Sequence, residues 1–427
     1  MSTVSWTLRC AACGADYDGL DLRYRCDCGG TLDVVHDLER LRGLPLLGTF
    51  DQRKLSRDPA DRSGVWRFRE LVLPLDPAYI ATKPEGNTNL YDSPILAGWV
   101  GLDALQLKHE GENPTGSFKD RGMTAGTSIA RRLGMTRVAC ASTGNTSASM
   151  ASYAAQYGMK AFVFIPEGDI AYGKLSQALA YGATTIQIAG DFDAAMDLVQ
   201  QVCDAEGIYL LNSVNPFRIE GQKAIGFELL QDRGWQVPDW IVLPGGNLGN
   251  NTAIAKGLLE LHELGLIDKL PRIAVIQAAG ANPLFTAWTT GADIAPVQAH
   301  TLATAIKIGN PVSWRKSLRG LRATNGLVEQ VTDQEILDAK AQVDAAGIGA
   351  EPASCATVAG LKKLVAAGTI APDAEVVGVL TGHLLKDPDV VVHYHQGTLD
   401  GIDSTYANAP ISAPATLDAV LVIVRRT

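Results

Sequence analysis

The chain has no run approaching the ~18 consecutive apolar residues that cross a bilayer. Its longest apolar runs, such as Ala161–Ile165 and Val376–Leu380, have the length of buried strands. Basic charge is also short: 37 lysines and arginines against 46 aspartates and glutamates leave a net charge of −9. A chain-wide nucleic-acid or membrane-surface role needs a basic face, so neither partner is expected. Local loops and helix termini on an acidic chain still bind small anions. The segment Met1–Arg9 lacks the apolar core of a secretory leader, which makes the cytoplasm the expected compartment. Internal repeats and low-complexity tracts are absent. Neither His109 nor His383 has a Ser or Cys partner signature nearby, which excludes a hydrolase triad.

What is present is a large globular chain. Its 427 residues suffice for two to three domains, and 46% of them are hydrophobic. The cysteines fall into two groups. Cys140, Cys203 and Cys355 are scattered and read as small core residues. Cys10, Cys13, Cys26 and Cys28 form two close pairs near the start. Two such pairs in a cytosolic chain suggest a small zinc ribbon with four thiolates around one ion. The second pair is one residue short of the usual spacing, so a hairpin with free thiols is the other reading.

Beyond the ribbon, Asp37–Pro77 reads as short helices and loops, and Pro94–Leu107 as short strands. Alternation then begins. Helix Asp120–Leu133 leads to strand Arg137–Ala141, helix Ser147–Tyr157 and strand Ala161–Ile165. Helix Tyr172–Ala180, strand Thr184–Ile188 and helix Asp191–Glu206 follow. A second alternating block starts at strand Trp240–Leu243. It continues through helix Asn251–Leu264, strand Arg272–Gln277, helices Asp333–Ala346 and Pro352–Ala367, and strand Glu375–Leu380. Such alternation implies parallel sheets covered by helices. Two open α/β lobes place a ligand cleft at the carboxyl ends of their strands.

Chemistry concentrates in the loops. Asn113-Pro114-Thr115-Gly116-Ser117-Phe118-Lys119-Asp120-Arg121-Gly122 sets one lysine in a glycine-flanked loop before a helix. Such a lysine suits Schiff-base chemistry with an aldehyde cofactor, although a plain loop lysine has the same spelling. Ser142-Thr143-Gly144-Asn145-Thr146 offers neutral donors and backbone N–H groups to a carboxylate or phosphate, or serves as an ordinary helix cap. Gly245-Gly246-Asn247-Leu248-Gly249 turns amides toward a phosphate at a helix start. It is neither a Gly-Lys-Ser/Thr phosphate loop nor a Gly-x-Gly-x-x-Gly fingerprint, and a simple strand–helix turn remains the alternative. Thr381 closes the last core strand, where its hydroxyl suits a heteroaromatic nitrogen, and His383 beside it reads as a structural donor. Arg218, after Asn212-Ser213-Val214-Asn215-Pro216-Phe217, has the fork geometry of a bidentate phosphate clamp or is a surface arginine at a helix start.

Together these segments resemble the fold-type II pyridoxal-phosphate enzymes, and among them the threonine synthases. The resemblance runs from the cysteine ribbon through Asp387, with Ile306–Trp314 and Glu351–Ser354 among its matching parts. It implies two open, mainly parallel-sheet lobes of the tryptophan synthase β type. The expected divisions are a ribbon at 1–36, a segment at 37–120 packing on the large domain, a small α/β domain at 121–220, and a large cofactor domain at 221–427. By this resemblance Lys119 carries pyridoxal phosphate as a Schiff base and shuttles protons. Gly245, Gly246, Asn247, Leu248 and Gly249 cradle the cofactor phosphate, Asn145 meets the ring's 3′-oxygen, and Thr381 faces the ring nitrogen. Ser142, Thr143 and Thr146 hold substrate groups, and Asn212, Ser213 and Arg218 take the substrate phosphate. The implied substrate is O-phospho-L-homoserine and the expected assembly a homodimer. Asn89 and Leu384 depart from the family pattern, which more often has proline and glycine there.

Two other readings compete. One is a related enzyme, such as a cysteate synthase or a threonine or serine dehydratase; the Asn212, Ser213 and Arg218 group favours a phosphorylated substrate over the dehydratases. The other is a catalytically dead interaction protein docking through its ribbon, against which stand Lys119 and the glycine cup.

Overall fold

A computed structural model describes residues 4–167, 172–189 and 192–426. Among the described residues, thirteen strands form three sheets. The first is an antiparallel ribbon of β1 (Trp6–Cys10), β2 (Asp16–Asp18) and β3 (Leu32–His36), in the order β2-β1-β3. The second contains β4 (Leu90–Asp92), β5 (Gln106–His109), β10 (Trp240–Pro244), β11 (Arg272–Ala278), β12 (Leu327–Val331) and β13 (Val376–Leu380). Its order is β12-β11-β10-β13-β5-β4, parallel except for the β4 edge. The third contains β6 (Arg137–Ala141), β7 (Lys160–Pro166), β8 (Thr184–Ile188) and β9 (Tyr209–Leu210), all parallel in the order β8-β7-β6-β9. This is the expected α/β arrangement with an N-terminal cysteine ribbon.

The central strands are apolar throughout because helices cover both faces. All five residues of β10 and of β13 are buried. The helices expected on either side are present, among them Lys119–Arg132, Asn145–Gln156, Gly249–Glu263 and Pro352–Ala366. Helix Phe192–Glu206 also forms; Asp191, its expected first residue, lies outside the described residues.

One expectation is corrected. The stretch beginning at Pro94 is a helix, Pro94–Val100, not a strand. Ser93 caps it by accepting from the Leu96 N–H, proline occupies its first turn, and Gly101 ends it in the left-handed conformation at φ 89°. The run Ile95-Leu96-Ala97 is apolar enough to pass for a strand, and the caps decide otherwise. Strands β4 and β5 on either side of this helix belong to the six-stranded sheet. Strands β9 and β12, and a helix over Pro388–Gln396, were not anticipated.

Candidate active site

Three neighbouring strands of the large sheet, β10, β13 and β5, end side by side. Beyond β10 comes the glycine cup, beyond β13 comes Thr381, and beyond β5 comes the Lys119 loop. In the smaller sheet, neighbours β6 and β9 end in the Ser142 and Asn212 loops. Parallel pairing puts all these loops at carboxyl ends, where open α/β sheets bind ligands.

The lysine loop is stitched to the end of β13. The Phe118 N–H donates to the Thr381 carbonyl at 3.0 Å, and the His383 N–H to the Gly116 carbonyl at 2.9 Å. Lys119 then opens its helix. Asp120 locks the loop from inside, accepting from the Thr115 N–H at 2.7 Å and hydroxyl at 2.6 Å and from Ser149 Oγ at 2.5 Å. Burial raises the Asp120 carboxyl to about 6, against those hydrogen bonds. Lys119 Nζ lies 3.9 Å from the centroid of the Phe118 ring, and no carboxylate pairs with it among the described residues. The side chain keeps partial solvent contact. Even so, desolvation first and the Arg218 guanidinium second hold its ammonium down to about 7, while Glu351 pulls the other way.

Beneath this loop lies a buried ionic hub. Glu228 accepts from Lys108 Nζ and Arg121 Nη2, each at 2.8 Å, through Oε1, and from Arg67 Nη2 at 2.8 Å through Oε2. Arg121 also forks onto Glu110 at 2.6 and 2.7 Å. The Asn87 and Thr88 N–H groups donate to Glu228 at 2.9 and 3.1 Å, which ties in the turn before β4. Three cations outweigh the burial of Glu228 and hold its carboxyl well below the usual range. Arg121 is two residues past Lys119, so the hub fixes where the lysine helix begins.

Asn145 and Thr381 meet at a residue that motif reading passed over as a site member, Glu351. Asn145 Nδ2 donates to Glu351 Oε2 at 3.0 Å, and Thr381 Oγ1 to Glu351 Oε1 at 3.3 Å. Glu351 is 1% exposed, and burial raises its carboxyl above the ordinary value. Ser354, one turn on, accepts from the Thr381 N–H at 2.8 Å and the Gly382 N–H at 2.9 Å, and its Oγ sits 3.1 Å from Thr381 Oγ1. Residue 382 has to be glycine, since a Cβ there would lie 2.3 Å from Glu351 Cδ. His383 accepts from the Leu385 N–H through Nδ1 at 3.1 Å, so it is an acceptor in a turn rather than the expected donor. His109 donates from Nε2 to the Gly349 carbonyl at 2.8 Å, a fully structural role.

The cup over Gly245–Gly249 has Leu248 in the left-handed region at φ 64°, rare for leucine. That turn delivers the chain into helix Gly249–Glu263. A Cβ at Gly245 would lie 2.5 Å from Val275 Cγ1. Asn247 Oδ1 accepts from the Val312 N–H at 3.4 Å and fastens the neighbouring loop, and Gly246 lies against Ala305 and Ile306.

Ser142, Thr143 and Ser213 are half-buried, and Thr146 is buried. Asn212 spends its carboxamide on the end of β6, accepting from the Ala141 N–H at 2.9 Å and donating to the Ala141 carbonyl at 3.0 Å. It thereby joins the Ser142 and Ser213 loops. Arg218 is 2% exposed. Its Nη1 donates to the Leu211 carbonyl at 3.1 Å, its Nε has no partner, and burial lowers its guanidinium to about 10. Orphan buried polar atoms lie in the same segments: Ser117 Oγ in the lysine loop, Gln222 Oε1 one turn beyond Arg218, and both side-chain polar atoms of Asn250 with Asn251 Oδ1 in the first turn after the cup. Buried polar atoms are ordinarily paired. A group of them beside a depressed lysine, an unpaired arginine and a glycine cup fits an anionic, hydrogen-bonding guest of the pyridoxal-phosphate kind.

Comparison with known proteins agrees with the geometry. The profile of the pyridoxal-phosphate dependent enzyme family matches residues 81–382. The chain is 47% identical over 387 residues to a threonine synthase of Methanocaldococcus jannaschii, covering 90% of this chain and 94% of that one. It is 49% identical over 391 residues to a threonine synthase of Methanosarcina acetivorans, covering 90% and 93%. The fold is similar to that of maize serine racemase, with a TM-score of 0.64 at 21% identity over 75% of this chain and 94% of that one.

Proposed function

Because the chain belongs to the threonine synthases among the pyridoxal-phosphate-dependent enzymes, we propose that it converts O-phospho-L-homoserine and water into L-threonine and inorganic phosphate. The observation that carries this reading into the site is Arg218: a buried guanidinium with an orphan Nε, close enough to Lys119 to lower its proton affinity. A buried cation lacking a carboxylate is suited to an anionic substrate group.

Pyridoxal phosphate, when bound, supplies an electron-withdrawing ring that stabilises negative charge beside the substrate amine. In this reading Lys119 holds it, the Gly245–Gly249 amides and the helix start take its phosphate, Asn145 meets its 3′-oxygen and Thr381 its ring nitrogen. A hydroxyl there, braced by Ser354 and Glu351, places no full negative charge on Thr381 itself. When the substrate amine displaces it from the cofactor, Lys119 is freed as a primary amine, and the surroundings that hold its ammonium down to about 7 in the cofactor-free chain favour the unprotonated base. It takes protons from the α- and β-carbons, and phosphate leaves from the γ-carbon with the C–O bonding pair. Lys119 returns one proton at the γ-carbon; water then adds its oxygen at the β-carbon, its second proton passing to the departed phosphate, and Lys119 returns the other proton at the α-carbon. Arg218 and Ser213 hold the phosphate, Asn212 fixes the loop that carries them, and Ser142, Thr143 and Thr146 hold the carboxylate end.

The site then lies between a small lobe at 121–220 and a large one at 221–427, in a cytoplasmic homodimer without nucleic-acid or membrane partners. No helix among the described residues is long and apolar enough to cross a membrane. The test is phosphate release and product identification with phosphohomoserine and phosphoserine side by side. Threonine from the first and negligible turnover of the second is expected; the reverse preference contradicts the reading.

A further inference from the structure

The four N-terminal cysteines converge on one point. Cys10 ends β1, Cys13 follows in the turn, and Cys26 and Cys28 sit in the knuckle before β3. Cys10 Sγ lies 3.6 Å from Cys28 Sγ, Cys13 Sγ lies 3.5 Å from Cys26 Sγ, and all four sulfurs are within 4.8 Å of one another. A tetrahedral ion with metal–sulfur bonds of ~2.3 Å separates its sulfurs by ~3.8 Å. The Ala12 and Cys13 N–H groups both point at Cys10 Sγ, each at 3.4 Å. Gly30 leaves the space, since a Cβ there would lie 2.7 Å from Cys10 Sγ. The spacing is thus compatible with a metal despite the shortened second pair.

The knuckle is also wired to the active site. Tyr24 stands two residues before Cys26, and its hydroxyl accepts from the Leu210 N–H at 2.7 Å. Its ring meets Tyr209 edge-on at 5.8 Å. Tyr209–Leu210 is the whole of β9, the two-residue edge of the smaller sheet. The next residue, Leu211, supplies the carbonyl that holds Arg218 Nη1, and Asn212 follows. On the other side, β3 lies along the Arg218 helix, where His36 Nε2 contacts Glu220 Oε2 at 2.6 Å, and it is held from helix Trp314–Ala323 by Lys316 Nζ, which donates to the Leu32 carbonyl at 3.0 Å. A second cluster here, His36 with Glu220 and Glu260, is already neutralised by Lys223 and Lys256 and needs no ion.

We propose that Cys10, Cys13, Cys26 and Cys28 bind one zinc-like divalent cation, and that the loaded knuckle, through Tyr24, positions the Leu210–Arg218 segment. The thiols bind as thiolates, and their protons leave to solvent. Tyr24 is a positioning residue: it touches neither cofactor nor substrate and acts through the β9 backbone. What the segment does for the substrate rests on the phosphate-binding reading of Arg218, whereas metal content and backbone protection do not.

The experiment uses the full-length holoenzyme. Metal per chain is measured before and after removal with a thiol reagent and chelator, followed by reloading with zinc alone. Hydrogen exchange across 209–218 and steady-state kinetics are followed in each state and in Tyr24→Phe. One metal ion per chain is expected. Its removal should speed exchange at Leu210 and raise KM for the phosphorylated substrate about tenfold with kcat less affected, the scale of one lost buried hydrogen bond. Zinc should reverse both changes. Tyr24→Phe should keep its metal yet show the faster exchange and higher KM. Failure to bind zinc stoichiometrically overturns the site. Removal of a bound ion that leaves exchange at 209–218 unchanged overturns the coupling, as does a Tyr24→Phe enzyme protected like wild type.

Discussion

In the proposed reaction Lys119 and Arg218 have the most to do, and each is in a state its sequence neighbours do not reveal. Arg218 lacks a carboxylate partner while buried, so its removal should be felt by the substrate more than by the fold. Arg218→Met is expected to lower kcat/KM for phosphohomoserine by about 10- to 100-fold, the loss of a charge-assisted contact, with Arg218→Lys intermediate. Steady-state kinetics checks this, and unchanged kcat/KM in the methionine variant would remove Arg218 from the site. Lys119 makes a pH prediction. In cofactor-free protein its folded ammonium titrates at about 7, against an ordinary value of ~10.4 for the unfolded chain. The unfolded state therefore binds the extra proton between those values, and stability rises with pH across that window. Wild type should gain urea resistance relative to Lys119→Met from pH 7 to 10; a constant difference contradicts the depressed lysine. At Asn89 the departure from the family pattern has a local use. Its N–H donates to Glu112 Oε2 at 2.6 Å, a bond proline cannot make.

At the scale of elements, the site is built from strand ends held by capping contacts. Ser354, in the first turn of its helix, supplies the acceptor for two N–H groups at the end of β13. Ser354→Ala leaves both buried donors unmet and should cost about 1–3 kcal/mol of stability. Chemical denaturation measures the loss, which should come with weaker retention of pyridoxal phosphate; a neutral substitution would mean that Thr381 is positioned otherwise. The strand ends themselves were legible: glycine, serine, threonine and asparagine between an apolar run and a helical period mark a turn by local chemistry alone. Glu351 and Ser354 stand out in the sequence only as part of a matching segment, because Thr381 lies 30 and 27 residues on, Asn145 lies 206 residues before Glu351, and no local pattern links them. The Pro94 helix departs from the strand expectation because the three apolar residues Ile95–Ala97 fit either period, and only the Ser93 and Gly101 ends discriminate.

For the molecule as a whole, the Glu228 hub joins segments that lie far apart in sequence: the 87–88 turn, β5, the Lys119 helix and the helix Pro216–Asp232. Glu228→Gln leaves Lys108, Arg121 and Arg67 short of a counter-charge inside the protein. Breaking a buried pair of this kind should cost about 3–5 kcal/mol. The thermal midpoint of the variant should drop, and pyridoxal phosphate should be lost along with it. A near-wild-type midpoint would show that Glu110 on Arg121 and Asp232, whose Oδ2 lies 2.7 Å from Lys108 Nζ, suffice. None of this network was legible beforehand, since Arg67, Lys108, Arg121 and Glu228 each look like ordinary charges in sequence. The two-lobed α/β plan, by contrast, follows from alternating periods and needed no long-range information.

The central claim is that one amine, on Lys119, carries the cofactor. Borohydride reduction of the holoenzyme, proteolysis and mass spectrometry locate the reduced pyridoxyl group directly. The account predicts that group on the peptide containing Lys119 and nowhere else, with Lys119→Ala unlabelled. Labelling of Lys386, whose side chain lies against Gly116 of the lysine loop, or a Lys119→Ala protein still covalently modified and active, would contradict it.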